Sequence, residues 1–303
     1  MSTLFSIIIP TYNRSTLLER ALKSIFDQQV EGSFEVIIVD DGSSDDTGKI
    51  VKQQSFPNIF YFYQENQGQS SARNSGVAKA RGAYIIFMDD DDYWLQGHLQ
   101  NFEKAISDNR HEKAIFRTGF LRLRPNGKEI KAPNYDIKKH LNPVRYAAYN
   151  MCALVSLCIP SEYLQENHSP VGFPYWEDTH LILRLFVKYP LVQLETYTYV
   201  YVIHPAMGSL RNETENMLAD KLEINLRAIE DFFNKYGTWV APFLPESTFT
   251  FLEAEKYIEY ANQELTIGSR KRHWAFFKKS ICSKMDFRLW KHYVLFVKYL
   301  ILR

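Results

Sequence analysis

Through the first third of the chain, short apolar runs alternate with stretches of helical period. Phe5 to Ile9 is brief and β-branched, which predicts a buried strand closed by Pro10, with Thr11-Tyr12-Asn13-Arg14 as the loop behind it. Thr16-x-x-Glu19 is a capping-box pattern, and Leu18, Leu22 and Ile25 then recur at helical spacing. Phe34 to Val39 predicts a second strand. It runs into Asp40-Asp41-Gly42-Ser43-Ser44, where glycine permits a sharp turn and Ser or Asp can cap a helix. Asn58 to Gln64 predicts a third strand, and a helix from about Ser70 is expected to end at Gly82 as its C-cap. Tyr84 to Met88 is aromatic and β-branched, a central strand that stops abruptly in four carboxylates, Asp89 to Asp92.

Past the acids the pattern loosens. A helix is expected from near Trp94 to about Asp108, with Asp92 as a candidate cap. Lys113 to Leu123 predicts a strand and Pro125-Asn126-Gly127 a hairpin turn, while residues 128–150 have too weak a period to assign. Met151 to Ile159 is strand-like. Gly172-Phe-Pro-Tyr-Trp176-Glu177-Asp178 precedes an amphipathic helix with Leu181, Leu185 and Val187, and Val192 to Ile203 predicts a long strand ending at His204-Pro205. From about Glu213 the chain turns helical, over Met217–Lys235 and Phe249–Leu265, with Pro242 and Pro245 between. The alternation of strand and helix predicts an α/β protein with a parallel sheet over residues 1–210, and residues 211–303 a helical extension.

Composition adds limits. With 303 residues, 46% hydrophobic and 23% charged, the chain has room for a sizeable core. Its net charge of +1 excludes a polyanion binder by bulk charge, so nucleic acid is not an expected partner. Three scattered cysteines fit neither a disulfide framework nor a zinc site and are expected as buried hydrophobes in a reducing compartment. No basic, apolar leader precedes Phe5, and Lys298 interrupts the greasy end, so neither a signal peptide nor a transmembrane span is expected. The tail from Ser269 is basic and aromatic, Arg270, Lys271, Arg272, Lys278, Lys279, Lys284, Arg288 and Lys291 interleaving with Trp274, Phe276, Phe277, Phe287, Trp290 and Tyr293. It suits an anionic membrane surface, or else its aromatics pack on the preceding helices.

The chemistry lies in the acids. Carboxylates crowded at the end of a buried strand repel one another, and solvent, a helix N-terminus or a cation must offset that. In open parallel sheets ligands bind at the carboxyl ends of the strands, and a hard divalent ion bridging to a phosphate suits oxygen ligands. Neither a Gly-x-Gly-x-x-Gly nor a Walker motif follows a strand.

Taken in order, five segments resemble the family 2 glycosyltransferases. They are Ser6-Ile-Ile-Ile-Pro-Thr-Tyr-Asn13; Val36-Ile-Ile-Val-Asp-Asp-Gly-Ser-Ser44 with Asp46-Thr47; and Asn66-x-Gly68 with Ala72-Arg73-Asn74. Gly82-x-Tyr-Ile-x-Phe-x-Asp89-x-Asp91-Asp92 follows, then Trp176-Glu177-Asp178 with Leu181 and Arg184. The resemblance covers about residues 4–210 and implies the GT-A fold: a Rossmann-like mixed, mostly parallel sheet flanked by helices, here with a helical C-terminal extension. It divides residues 1–210 into a nucleotide-sugar half, about 1–110, and an acceptor half, about 111–210. It implies a nucleotide-sugar donor, a divalent metal (Mn2+ or Mg2+), a glycan or lipid-linked saccharide acceptor, and transfer with inversion. By resemblance, Pro10, Thr11, Tyr12, Asp41, Arg73 and Asp90 serve the nucleotide sugar, with Asp41 accepting from the base N–H of a uracil or thymine. Asp89, Asp91 and His204 serve the metal, and Asp178 is the catalytic base. Asp41 also reads as a helix cap, Arg73 as a solvated helix residue, His204 as a structural histidine and Asp178 as an ordinary N-cap, while Glu177 is expected to be structural. The expected location is cytoplasmic, peripheral on the inner face of the cell membrane. Two rival readings remain, a sugar-nucleotidyltransferase and a catalytically inactive binding protein that kept the fold.

Overall fold

The computed structural model describes residues 3–30, 33–54, 56–109, 113–132, 134–136, 142–150, 152–204, 215–267, 270–283 and 289. The chain divides into two compact units, Met1–His204 and Pro205–Arg303.

The first unit is built on a nine-stranded sheet. Its parallel half consists of β1 (Phe5–Thr11), β2 (Phe34–Asp40), β3 (Ile59–Tyr63) and β4 (Tyr84–Phe87), in the order β3-β2-β1-β4. Between them run the helices α1 (Ser15–Phe26), α2 (Thr47–Gln53) and α3 (Gln69–Val77). Every residue of β1 is buried, which is why that strand reads as a nearly continuous apolar run. Helix α1 lays Leu18, Ala21, Leu22 and Ile25 inward. Strand β3 is the sheet edge, half-buried, with Lys79 lying 4.4 Å over the Phe62 ring and Arg81 4.6 Å over that of Phe60.

The other half mixes directions. Strand β5 (Tyr93–Trp94) and helix α4 (His98–Asp108) lead to β6 (Ile115–Leu123), β7 (Glu129–Lys131) and α5 (Pro143–Tyr149). A 3-10 turn (Leu154–Ser156), β8 (Leu157–Pro160), α6 (Ser161–Glu166), α7 (Glu177–Lys188) and β9 (Leu191–Val202) complete the unit. Strand β8 enters antiparallel between β4 and β6, β6 pairs parallel with β9, and β5 pairs antiparallel with β9. Strands β6 and β9 thus run with the first four strands, and β5, β7 and β8 against them. The sheet is therefore mixed and mostly parallel along its first four strands, as expected.

Several local expectations change. The capping box does not close: no side chain caps α1, and the Ser15 amide instead donates to Asp45 Oδ2 at 3.1 Å, while Asp45 Oδ1 accepts from Thr47 at the start of α2. One carboxylate from a neighbouring loop serves both helix starts. Pro10 lies within β1 rather than closing it. Helix α3 stops at Val77, so Gly82 is not its C-cap. Gly82 is instead where β1 passes so close that an added Cβ would sit 2.5 Å from the Ser6 nitrogen. Gly76 does the same for α3, where a Cβ would meet Ile8 Cγ2 at 2.4 Å. Trp94 is in a strand, and α4 starts only at His98, after Gly97. Asp92 is therefore no helix cap. Residues 128–150, whose weak period predicts no element, supply β7 and α5.

The second unit contains α8 (Glu215–Val240), α9 (Thr248–Ile267) and α10 (Arg270–Ser283). Phe233 and Phe249 pack edge to face at 5.4 Å, and Asn225 donates to the Tyr260 hydroxyl at 3.1 Å. Ser280 donates to the Ala254 carbonyl at 2.7 Å, fixing α10 on α9. Phe277 is buried and Phe276 packs on the Leu222–Tyr260 cluster, whereas Trp274 and Ile281 are exposed beside Lys278 and Lys279. The packing expected of the tail's aromatics thus holds for Phe276 and Phe277. Lys284, Phe287, Arg288, Trp290, Lys291 and Tyr293 lie outside the described residues. No helix among the described residues is long and apolar enough to cross a membrane.

Candidate active site

Parallel pairing brings the carboxyl ends of β1, β2 and β4 to one edge, and with them Thr11, Asp40, Asp41 and Asp89 to Asp92. The loops there are stapled together. The Asn13 amide donates to Ser43 Oγ at 2.8 Å, and the Ser44 amide returns to Asn13 Oδ1 at 2.8 Å. Asp40 accepts from the Ser43 amide and the Tyr61 hydroxyl, which burial and Asp40 push well above its ordinary range. Asp41 accepts from Gln64 Nε2, the Gln67 amide and the Gly68 amide. Neither Asp caps a helix. A carboxylate has about four lone-pair positions, so Asp41 keeps one on Oδ2 for a further donor. Pro10 and Thr11 are buried beneath this edge, and Tyr12 stands exposed above it.

The Asp quartet separates into distinct environments. Asp90 accepts from Thr11 Oγ1 at 2.7 Å and Arg14 at 3.0 Å, and burial pushes it up to about 7 against the pull of Arg14. Asp91 is held by the same guanidinium and by His204 Nε2 at 3.1 Å, and Arg20 donates to its carbonyl. Asp92 is fully buried and uses both oxygens, Oδ2 to the Tyr199 hydroxyl at 2.6 Å and Oδ1 to the Val202 amide at 2.8 Å; burial raises it well above the carboxylate range. Asp89 accepts from Arg73 at 3.2 Å and Gln69 at 3.1 Å, and burial, against Arg73, lifts it to about 6.

Oxygens of Asp89, Asp91 and Asp92 lie within 4.8 Å of one another. Both Asp92 oxygens already serve the scaffold, so Asp89, Asp91 and the adjoining His204 form the available ligand set. Asp89, lifted by desolvation and by the neighbouring Asp91 charge, is what a divalent cation would relieve, and carboxylate oxygens suit Mn2+ or Mg2+. The residues fit the ion.

Across from the quartet, α7 begins with Glu177 after Trp176, whose φ of 68° places it in the left-handed region. Trp176 occupies the N-cap position, so Asp178 is the second helical residue and not the cap. Glu177 turns inward and is pushed up to about 7 by burial and then by Asp178. Asp178 turns outward, its side chain 34% exposed, and bonds Arg73 Nη1 at 2.7 Å. Leu181 packs in the core and Arg184 donates to the His168 carbonyl, so both anchor α7. Arg73 itself is buried, not a solvated helix residue, and faces acids rather than an open pocket.

Sequence reading missed Arg14, Gln69 and Tyr199. A signal existed for Arg14: a cluster of buried acids requires nearby cations, and Arg14 follows the first strand directly.

Residues 6–150 match the family described as Glycosyl transferase family 2. Among curated relatives, the GalNAc(5)-diNAcBac-PP-undecaprenol beta-1,3-glucosyltransferase of Campylobacter jejuni is 44% identical over 107 residues, which are 34% of this chain and 34% of that protein. An uncharacterized glycosyltransferase of Rickettsia bellii is 36% identical over 131 residues, 43% of this chain and 18% of its own length. The chain thus spans about a third of one of these relatives and less than a fifth of the other. Among solved structures, S. aureus TarS 1-349 in complex with UDP-GlcNAc superposes with a TM-score of 0.65 at 19% identity, covering 92% of this chain and 79% of that one. A Pyrobaculum calidifontis mannosyltransferase in complex with GDP-Man and Mn2+ gives 0.57 at 16% identity, covering 99% and 86%. These likenesses establish the architecture, a GT-A fold, and residues 6–150 within it match glycosyl transferase family 2.

Proposed function

We propose that the protein is an inverting, metal-dependent glycosyltransferase moving a hexosyl or N-acetylhexosaminyl group from a UDP-sugar to a hydroxyl of a glycan or lipid-linked saccharide. The observation that carries this is the convergence, at one sheet edge, of Asp89, Asp91 and His204 with an outward carboxylate, Asp178. The UDP-GlcNAc complex of the similar TarS structure supports the donor class, and the undecaprenol-linked substrate in the name of the Campylobacter relative supports a lipid-linked acceptor.

Pro10, Thr11, Tyr12 and Asp41 line the nucleoside side, with Asp41 Oδ2 accepting the base N–H. Asp90, held by Thr11 and Arg14, braces the diphosphate side. Asp89, Asp91 and His204 hold the divalent ion, which when bound offsets charge on the leaving diphosphate. The acceptor oxygen attacks the anomeric carbon, its proton passes to Asp178, and the glycosidic bonding pair leaves with the nucleoside diphosphate. Residues 111–210 form the acceptor half, and residues 211–303 an accessory extension, with α10 resting on the inner face of the membrane.

The test is thermal shift with UDP-glucose, UDP-GlcNAc, UDP-galactose and UDP-GalNAc, with and without Mn2+, followed by UDP release from the donor selected. Mn2+-dependent release is expected. Binding without release would favour an inactive scaffold, and pyrophosphate chemistry a nucleotidyltransferase. For the membrane face, vesicles of phosphatidylglycerol should co-sediment the intact protein at low salt. A Lys278→Glu, Lys279→Glu variant should bind more weakly, by about 1 kcal/mol per lysine lost.

A further inference from the structure

Three acids from distant parts of the chain converge on Arg73. Nη1 donates to Asp178 Oδ1 at 2.7 Å and lies 4.0 Å from Glu177, while Nη2 donates to Asp89 Oδ1 at 3.2 Å. The side chain is 2% exposed, and the Phe87 ring lies 5.8 Å beneath the guanidinium. So deep a group has almost no surface left for a nucleotide, the role the family resemblance gives it. Its fork is rigid and planar, so gripping one carboxylate on each side fixes the two relative to each other.

Helix α3 holds the fork still. Ala72 is buried, Gly76 packs on Ile8, and Asn74 exchanges two bonds with Ser169, at 2.9 and 2.8 Å. Ser75 donates to Gln64, which in turn donates to Asp41. Gln69, one turn before Arg73, donates to the same Asp89 oxygen. Asp178 has the opposite setting. It stands a third exposed at the start of a helix, and among the described residues only its Oδ1 is engaged, by Arg73.

We infer that Arg73 is the positioning residue of the general base: it grips Asp178 by Oδ1, ties it to Asp89, and so sets where Oδ2 meets the acceptor hydroxyl. This rests on Asp178 being the base. An untethered, exposed carboxylate samples several rotamers, and a misplacement of about 1 Å costs roughly 10²-fold in rate.

The experiment uses the intact protein, Mn2+, whichever of the four UDP-sugars above it hydrolyses fastest, and water as acceptor. UDP release gives kcat and donor KM, and calorimetry gives UDP affinity. Arg73→Lys keeps the charge but loses the fork; Asp178→Glu keeps the carboxylate but moves it; Asp178→Asn removes the base. Expected is a fall in kcat of roughly 10²-fold for Arg73→Lys and for Asp178→Glu, with donor KM and UDP affinity unchanged. Adding Arg73→Lys to Asp178→Asn should cost nothing further, because the two act as one unit. A raised donor KM with kcat kept in Arg73→Lys would return Arg73 to the nucleotide and overturn the inference. So would independent losses in the double variant. Should Arg73→Lys give no cooperative melt, Asp178→Glu decides alone, and near-wild-type turnover there overturns the inference while leaving the base assignment intact. Wild-type turnover by Asp178→Asn, or no UDP release by the wild type from any of the four donors, removes the underlying reading and the inference with it.

Discussion

Asp90, Asp91 and Asp92 are each less than a tenth exposed and each bonded to at least two groups, some more than a hundred residues away. Asp178, across the cleft, keeps a third of its side chain in solvent and is held by Arg73. On the reading proposed, Asp90 and Asp91 face a nucleoside diphosphate, whose chemistry does not vary, with Asp92 bracing the scaffold behind them, and Asp178 faces an acceptor hydroxyl that does vary. A site for an invariant ligand gains from being set before the ligand arrives. A site for an arriving hydroxyl needs one fixed atom and room around it.

The largest expected effect tests whether the two sides do different work. Asp91→Asn should lose about 10³-fold in UDP release, several kcal/mol of charge stabilisation, along with Mn2+-dependent UDP binding in calorimetry. Asp178→Asn should lose rate and keep that binding. Equal loss of UDP affinity in both variants would erase the distinction. A smaller effect tests the packing beneath the rigid side. Gly82→Ala forces a Cβ onto the backbone of β1 and should cost about 2–3 kcal/mol in chemical denaturation. If Gly82 merely ended a helix, the cost would be well below that. The smallest concerns His98 of α4, whose Nδ1 bonds the Thr198 hydroxyl on β9. Burial drops its imidazole to about 3, against about 6.5 in an unfolded chain. The unfolded chain takes the proton first, so stability is whole above about pH 6.5 and declines as pH falls toward 3, by about 2 kcal/mol at pH 5. The denaturation midpoints of His98→Asn should lack that part of the decline; parallel pH curves for the two proteins would remove His98 from the account.

The parallel half was legible because its signals are local. Each strand is an apolar run ended by acids or turn residues, and the topology of strand, helix, strand follows from the chain order. The second half of the sheet resists because its order is not sequential. Strand β8 joins β4 from more than seventy residues away, and β5 is two residues long and exists only by pairing with β9. The site divides likewise. The acids at the strand ends announced themselves, while the bonding partners that decide their roles did not. Tyr199, in the alternation Tyr197, Tyr199, Tyr201, reads as ordinary strand packing, and it is packed, yet its hydroxyl holds Asp92. Arg73 looks like any helix cation until Asp178, 105 residues later, is placed against it.

The cations over β3 bear on something other than rate or stability. A sheet has a rim, and its unpaired backbone groups there are a template on which another molecule can lay a strand. In this protein the rim carries Phe60 and Phe62, residues that would favour such an encounter, and Lys79 and Arg81 sit across their faces. A newly synthesised copy meets its neighbours at high local concentration before it meets any sugar. The Lys79 charge over the Phe62 ring makes each such meeting repulsive, while Arg81 covers Phe60 with its own charge paired to Glu35. Replacing Lys79 would leave the pairing of the buried Glu35 with Arg81 alone and change the fraction of chains that stay in solution.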